Sequence, residues 1–211
     1  MSKAKDERSM QELKRELCQF LVKIDALKFG MFTLTSGRTS PYYIDLRLVP
    51  SYPEIFDKVV DIYAELVRHQ IGLNAFERIA GIPTAGMPFS AGLSLKVKKP
   101  FLYIRRGVRD HGTGRLVEGI LMPGDRVLIV DDLVTTGKST MEAVSSVVRE
   151  GGLVTDVLVL IDREEGAKET LKREGVKLHS LMTVSEASRL LNEIGLLDDD
   201  KLKAILKQVG R

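Results

Sequence analysis

The chain has 211 residues, of which 44% are hydrophobic and 29% are charged, and its formal net charge is +3 at pH 7. This composition is typical of a globular protein with a full core, and so small a positive excess does not indicate nucleic-acid binding, because anionic substrates account for it equally well. The sequence has a single cysteine, no apolar run long enough for a membrane span and no signal-peptide core, so we expect a cytoplasmic protein without an internal disulfide.

The N-terminal residues predict an amphipathic helix. Ser9 and Glu12 have the spacing of a capping box, and apolar residues recur at helical spacing from Met10 to Leu27. Cys18 lies among these apolar residues, so we interpret it as a packing residue rather than a nucleophile.

The stretch 29–47, FGMFTLTSGRTSPYYIDLR, predicts two short strands around a turn-rich loop. Phe32 and Leu34 alternate in the first strand, and Tyr42–Leu46 form the second. On pattern alone, the stretch is a plain β-hairpin.

A second capping box, Ser51 with Glu54, predicts a helix that runs to about residue 70. A strand over 78–83, a loop over 84–88 and a helix of small residues that ends near Val97 are expected next.

A strand over 100–104 is followed by the most charged segment of the chain, residues 105–115, RRGVRDHGTGR. Three glycines interrupt its five cationic side chains. Such a run is commonly a solvated surface loop, but here its composition favours a loop that clamps a pyrophosphate.

The most informative stretch is Val127–Thr140, VLIVDDLVTTGKST. The apolar run at 127–130 predicts a strand buried on both faces of a parallel sheet. Asp131 and Asp132 follow, then a small polar loop, and then a helix whose apolar side we expect to hold Met141, Val144, Val147 and Val148. A strand, a tight loop and a helix N-terminus together form an anion site, because free backbone N–H groups and the helix dipole point at the loop.

The two acids indicate what accompanies the anion. Carboxylates repel phosphate but accept hydrogen bonds from the vicinal hydroxyls of a ribose, so the stretch predicts a cradle for ribose 5-phosphate. The plain alternative is a buried strand with a routine helix cap. A nucleotide-triphosphatase P-loop is disfavoured, because Asp132 stands where that motif needs glycine.

Gly151 and Gly152 are expected to end the helix, and the strand 154–161 should lead to the segment DREEG, which begins at Asp162. A helix to about Glu174 and a strand over 177–182 follow. Residues 185–211 predict two amphipathic helices, separated by three aspartates at 198–200. Because strands alternate with helices from Arg78 onward, we expect an α/β fold with a doubly wound parallel sheet.

Three stretches carry a family resemblance. VLIVDDLVTTGKST resembles the phosphoribosyl-diphosphate (PRPP) motif of type I phosphoribosyltransferases. Residues 29–47 resemble the F-x-L-x-S-G-x-x-S-P-x-Y segment of orotate phosphoribosyltransferases, and residues 105–115 resemble their R-K-x-x-K-D-H-G loop. The resemblance covers about Phe20–Val184 and implies a phosphoribosyltransferase domain over 1–184 that includes an N-terminal hood (about 9–50). Residues 185–211 extend beyond the resemblance and are expected to form a C-terminal helical extension.

The activity implied by the resemblance is transfer of ribose 5-phosphate from PRPP to N1 of orotate, with Mg²⁺ held mainly by PRPP and no assigned protein ligand. It also implies a homodimer with shared sites and no nucleic-acid or membrane partner. By the same resemblance, the catalytic residues are Arg109, His111, Asp131 and Asp132. PRPP would contact Arg105, Arg106, Arg109, His111, Asp131, Asp132, Leu133, Val134, Thr135, Thr136, Gly137, Lys138 and Ser139. Orotate would contact Tyr42, Tyr43, Thr135 and Arg163.

The chain departs from the best-known form of the family at three positions. Thr35 and Ala85 stand where lysine is common, and Arg109 stands where the loop lysine is the usual catalytic residue. Arg163 has a plain alternative role in a surface ion pair with Glu164 or Glu165. A purine phosphoribosyltransferase and a non-catalytic PRPP-sensing regulator therefore remain open.

Overall fold

The computed structural model describes residues 2–33, 37, 39–105 and 115–210, with side chains from Met10 onward. The helices are α1 Ser2–Lys23, α2 Pro53–Leu66, α3 Gly86–Val97, α4 Lys138–Arg149, α5 Ala167–Arg173, α6 Val184–Glu193 and α7 Asp199–Gln208. The strands are β1 Leu27–Thr33, β2 Thr39–Ile44, β3 Arg78–Gly81, β4 Phe101–Ile104, β5 Val117–Glu118, β6 Val127–Val130, β7 Leu133–Val134, β8 Asp156–Asp162 and β9 Lys177–Thr183. A 3₁₀ helix spans Leu46–Ser51, and a π-helical turn spans Val67–Ile71.

The chain forms two compact units. One contains Met1–Ser51 together with Met182–Arg211, and the other contains Tyr52–Leu181. The N-terminal hairpin and the C-terminal helices therefore belong to one unit, whereas the sequence suggested separate segments at 1–184 and 185–211.

The larger unit is built on a mostly parallel sheet, as predicted. Its strand order is β5-β4-β3-β6-β8-β7, with β9 paired to β8, and β5 runs antiparallel to β4. All four residues of β6 are buried, as expected for a central strand covered on both faces. The core of this unit combines residues of β3, β4, β6 and β8 with the inner side of α4.

The PRPP-like stretch contains a strand that is interrupted and then resumes. Val127–Val130 and Leu133–Val134 both pair parallel with β8, and both keep the same register against it. Asp131 and Asp132 occupy the break. The sequence did not predict that β7 continues the strand, because the two acids ended the apolar run.

In the smaller unit, β1 and β2 form the predicted antiparallel hairpin, with an irregularity between Phe29 and Phe32. Two boundaries were wrong. Leu27 opens β1 instead of closing α1, and Leu46 begins the 3₁₀ helix instead of ending β2.

Both predicted capping boxes in the N-terminal part were also wrong. Ser9 lies inside α1, which begins at Ser2, because the Lys-, Asp-, Glu- and Arg-rich residues before it are themselves good helix formers. Ser51 belongs to the 3₁₀ helix, and the N-cap of α2 is Tyr52, which makes no side-chain capping bond within the described part of the chain.

The predicted division into two helices is confirmed, but the break lies at 194–198: α6 ends at Glu193, Asp198 caps α7 by accepting the backbone N–H of Lys201, and Asp199 and Asp200 lie in the first turn of α7. Cys18 is buried, and desolvation raises its pKa to about 12, which agrees with a packing role. Across the part of the chain that the structure describes, no helix is both long and apolar enough to cross a membrane.

Candidate active site

Asp131 and Asp132 lie in the break between β6 and β7, and each is 7% exposed. Their backbones remain attached to β8, because the Asp131 N–H donates to Leu158 O at 3.1 Å and the Leu160 N–H donates to Asp132 O at 3.0 Å. Their carboxylates are also held locally. Asp131 Oδ1 accepts the N–H of Asp132 at 3.0 Å, and Asp132 Oδ1 accepts the N–H of Leu133 at 2.8 Å. The two acids are therefore oriented by the backbone at the carboxyl end of a central strand.

The anion site follows directly along the chain. Gly137 is the N-cap of α4 and has φ 82°, a left-handed conformation that favours glycine. A Cβ on Gly137 would also lie only 3.3 Å from the Cα of Ala167, so this position needs glycine for space as well. No described side chain caps α4, and its first turn contains no acid. The helix N-terminus thus presents backbone N–H groups that suit an anion such as a phosphate.

A cavity of about 900 Å³ lies beside this helix N-terminus. Thr136, Lys138 and Ser139 line it from the anion loop, Pro83 lines it from the loop after β3, and Arg105 lines it from the end of β4. Hydroxyl and cationic groups therefore line one space beside the start of α4. The predicted apolar side of α4 was wrong at one position, because Val148 is 53% exposed.

The loop after β3 approaches the acids closely. The Gly86 N–H donates to Ile82 O at 3.1 Å as α3 begins. A Cβ on Gly86 would lie 2.6 Å from Asp131 Oδ1 and 2.8 Å from Val130 O. Only a residue without a side chain fits between this loop and the carboxylate.

Of the four loop residues predicted to contact PRPP, Arg105 is the one that the structure describes. Its backbone N–H donates to Leu116 O at 2.8 Å, and its guanidinium pairs with Glu118 at 2.8 Å. Arg106, Arg109 and His111 lie outside the described residues, as do Leu34 and Thr35 of the hairpin loop.

Arg163 lies just past the end of β8 and is 7% exposed. Its guanidinium lies 2.9 Å from Glu165 Oε1, in an ion pair whose two side chains are each 9% exposed. The predicted alternative partner is thus present, but the pair is buried rather than on the surface. The Arg163 N–H donates to Val134 O at 3.0 Å, which ties this segment to β7.

The neighbour of Arg163, Asp162, is also buried. Its Oδ1 accepts the Glu164 N–H at 2.8 Å. Desolvation raises the pKa of Asp162, and the carboxylates of Glu164 and Glu169 raise it further, whereas the Glu164 N–H acts in the opposite direction.

The two tyrosines predicted to contact orotate lie on β2 of the smaller unit and differ in exposure. Tyr42 is fully buried, whereas Tyr43 is half-buried, packs near Phe32 with ring centroids 5.8 Å apart and accepts a hydrogen bond of 3.4 Å from Arg47. Tyr43 is therefore the better placed of the two to meet a ligand. Thr135 is half-buried, between β7 and Gly137.

One residue of the site was not predicted. Tyr63 lies on α2 and is fully buried, and its hydroxyl donates to the backbone oxygen of Asp131 at 2.7 Å. In the sequence, Tyr63 is one of several residues on the apolar face of the helix predicted after Ser51, so no motif could have identified it.

Among the described side chains, no group of three or more His, Cys, Asp or Glu residues could hold a metal ion. Asp131 and Asp132 supply hard oxygen ligands of the type that Mg²⁺ prefers.

A buried carboxylate pair followed by an open helix N-terminus, on a parallel sheet, is the arrangement that the resemblance to type I phosphoribosyltransferases predicts. The model of the phosphoribosyl transferase domain family matches residues 51–184. The orotate phosphoribosyltransferase of Cenarchaeum symbiosum is 43% identical over 186 residues, which are 88% of this chain and 93% of the relative. The chain belongs to the orotate phosphoribosyltransferase family.

Two solved structures extend the comparison. Orotate phosphoribosyltransferase from Aeropyrum pernix is 36% identical, with a TM-score of 0.74 over 85% of this chain and 98% of that one. Leishmania donovani UMP synthase is 34% identical, with a TM-score of 0.82 over 93% of this chain and 42% of that one. The part of this chain that the UMP synthase match leaves uncovered is shorter than residues 185–211. Part of the C-terminal helices therefore matches that structure as well. The sequence-based view that the resemblance ends near residue 184 was therefore too narrow.

Proposed function

We propose that this chain transfers ribose 5-phosphate from PRPP to N1 of orotate, giving orotidine 5′-phosphate and pyrophosphate in pyrimidine biosynthesis. The observation that carries this proposal is the carboxylate pair in the strand break, followed at once by the open N-terminus of α4. Acids alone would repel a phosphate, and an anion site alone would not need acids. Together they suit a sugar that carries both hydroxyls and a phosphate.

The residues divide the substrate between them. Backbone N–H groups at Gly137 and the start of α4, with Lys138 and the hydroxyls of Thr136 and Ser139, would hold the 5′-phosphate. Asp131 and Asp132 would accept hydrogen bonds from the ribose hydroxyls. Because the backbone already orients both carboxylates, little reorganisation is needed when the sugar binds.

The same groups suit the chemical step. As the C1–O bond to pyrophosphate breaks, positive charge develops on the ribose and negative charge on the leaving group. The carboxylates would stabilise the former, while Arg105, Arg106, Arg109 and His111 would stabilise the latter. Mg²⁺, when bound, would neutralise part of the pyrophosphate charge.

Arg163 is proposed to recognise the carboxylate of orotate, since a planar guanidinium binds a carboxylate through two hydrogen bonds. The hydrogen bond from its backbone N–H to Val134 O ties Arg163 to the strand that follows the two acids, which supports a place for the acceptor base next to the proposed ribose site. Thr135 and the hood tyrosines Tyr42 and Tyr43 would complete the base site, with Tyr43 the more accessible of the two.

A panel of acceptor bases tests the proposal. With PRPP and Mg²⁺, the chain should release pyrophosphate with orotate, slowly with uracil, and not with adenine or hypoxanthine. Arg163→Ala should remove most of the preference for orotate over uracil. Arg173 is an exposed cation at the end of α5, so the control variant Arg173→Ala should leave this preference unchanged. Equal rates with orotate and uracil in the wild type would contradict the orotate assignment.

The proposed assembly is a homodimer in the cytoplasm, in which residues 105–115 of one subunit serve the site of the other. This follows from the family resemblance of the loop. Mixed dimers of Arg109→Ala and Asp131→Asn subunits should regain activity, because each hybrid rebuilds one intact site. Verified hybrids that stay inactive would rule out shared sites but not the transfer reaction.

A further inference from the structure

In the strand break, the Asp131 carbonyl accepts a hydrogen bond from a side chain of α2. The Asp131 N–H and the Asp132 carbonyl both bond to β8 across the break. The neighbouring strand β3 pairs with β6 through Gly81, which lies opposite Val130, and the Ile82 N–H then bonds to Val130 O. The Asp131 carbonyl lies one residue beyond this pairing, where regular strand hydrogen bonds stop.

The hydroxyl of Tyr63 bonds to this carbonyl at 2.7 Å, from a residue 68 positions away in sequence. Tyr63 is fully buried and is held by the ring of Phe89, with centroids 5.8 Å apart. Phe89 in turn packs edge-on against Phe56, with centroids 5.6 Å apart. The hydroxyl is therefore fixed by a rigid aromatic cluster between α2 and α3.

The charge state of Tyr63 suits a permanent donor. Burial raises its pKa well above the ordinary value, the Asp132 and Asp131 carboxylates raise it further, and a backbone hydrogen bond from Leu160 only partly offsets them. The phenol thus keeps its proton at any pH at which the enzyme would work.

We propose that Tyr63 is a positioning residue for PRPP, which acts through the backbone of Asp131. Its hydroxyl donates to the Asp131 carbonyl at the break and fixes the peptide that carries the proposed ribose-binding carboxylate. Gly86 confines Asp131 Oδ1 from another side, since a Cβ there would come within 2.6 Å. The inference rests on the proposed function, because it assigns PRPP to this site.

Tyr63→Phe removes the hydroxyl and keeps the ring, so it tests the role directly. We expect KM for PRPP to rise about tenfold, the equivalent of about 1.4 kcal/mol, while KM for orotate changes less than twofold. Tyr103→Phe is the matched control, because this tyrosine is 39% exposed on β4 and stacks on Phe101. Val60→Ala controls for lost stability, because it creates a cavity at a buried position of the same helix.

A double-mutant cycle with Asp131→Asn separates positioning from general destabilisation. If Tyr63 acts through Asp131, Tyr63→Phe should have little further effect on PRPP affinity in the Asp131→Asn background. The proposal would be overturned if the effects of Tyr63→Phe and Asp131→Asn on PRPP affinity were fully additive. It would also be overturned if Tyr63→Phe raised KM for PRPP and KM for orotate equally, or if Val60→Ala changed the ratio of these two KM values as much as Tyr63→Phe does. Calorimetry measures PRPP affinity without turnover and allows the same comparison between variants. If the chain had no activity with orotate, the proposed function would be refuted, but this test of Tyr63 could still be made.

Discussion

Gly86→Ala offers the sharpest test of how the acid pair is held. The added methyl group would lie 2.6 Å from Asp131 Oδ1, 2.8 Å from Val130 O and 2.9 Å from the Asp131 Cα. Two of these three atoms belong to the backbone of β6 and the break, which side-chain rotation cannot relieve. To reach an ordinary contact of 3.4 Å, the carboxylate and Gly86 must move apart by about 0.8 Å.

The size of the effect follows from this displacement. A misplacement of about 1 Å in a catalytic group costs roughly 10²-fold in rate, so kcat/KM for PRPP should fall by about 10- to 100-fold. Overpacking should cost about 1–3 kcal/mol of unfolding free energy, partly offset by about 1 kcal/mol from the higher helix propensity of alanine. The loss of activity should therefore be much larger than the loss of stability.

Gly92→Ala is the matched control, because it lies on the same helix and its Cβ would meet a neighbour at the same 2.6 Å. That neighbour is a methyl group of the Val60 side chain, which can adjust more easily than backbone atoms. Val60 is not among the proposed substrate contacts. Both variants should be compared by urea unfolding and by PRPP-dependent pyrophosphate release. If Gly86→Ala and Gly92→Ala lose activity in the same proportion as stability, close confinement of Asp131 does not matter for PRPP use.

Further predictions concern charge. Asp131→Asn and Asp132→Asn should each lower kcat/KM for PRPP by the equivalent of about 1.5–3 kcal/mol with little change in thermal midpoint, and unchanged kinetics in both would remove the ribose assignment. Arg109→Ala should lower kcat roughly 10²- to 10³-fold and Arg109→Lys only modestly, whereas a faster lysine variant would indicate that the loop donates a proton. Because burial raises the pKa of Asp162, its contribution to stability is present at low pH and is lost as pH rises through the raised value. Asp162→Asn should therefore flatten the fall of the urea midpoint as pH rises above the ordinary pKa of an aspartate, and an unchanged profile would contradict this.

The parts of the fold that the sequence predicts well are those governed by local pattern. The buried run of β6, the glycine that begins α4 and the aspartate that caps α7 each act through residues next to them in the chain. Hydrophobic periodicity and cap chemistry are therefore sufficient to place them.

What the sequence could not predict depends on distant partners. Ser51 with Glu54 has a capping-box pattern, but the preceding 3₁₀ helix takes Ser51. The role of Tyr63 likewise exists only because α2 brings its hydroxyl to a carbonyl 68 residues away. Local pattern carries no information on either outcome.

The interruption of β6 explains why two adjacent acids can serve one ligand. In a regular strand, consecutive side chains point to opposite faces of the sheet, so one of two neighbouring carboxylates would be directed away from the other. Here both carboxylates instead accept the N–H of the following residue, and both have the same small exposed fraction of 7%.

The strand then resumes in its original register, so Val134 still reaches the N–H of Arg163 and Gly137 still begins α4 against Ala167. A longer loop would free the acids equally well, but it would lose the backbone connection between the two acids, the anion loop before α4 and the segment that carries Arg163. A break of two residues that preserves register therefore lets one strand position the acids, the anion loop and Arg163 relative to each other.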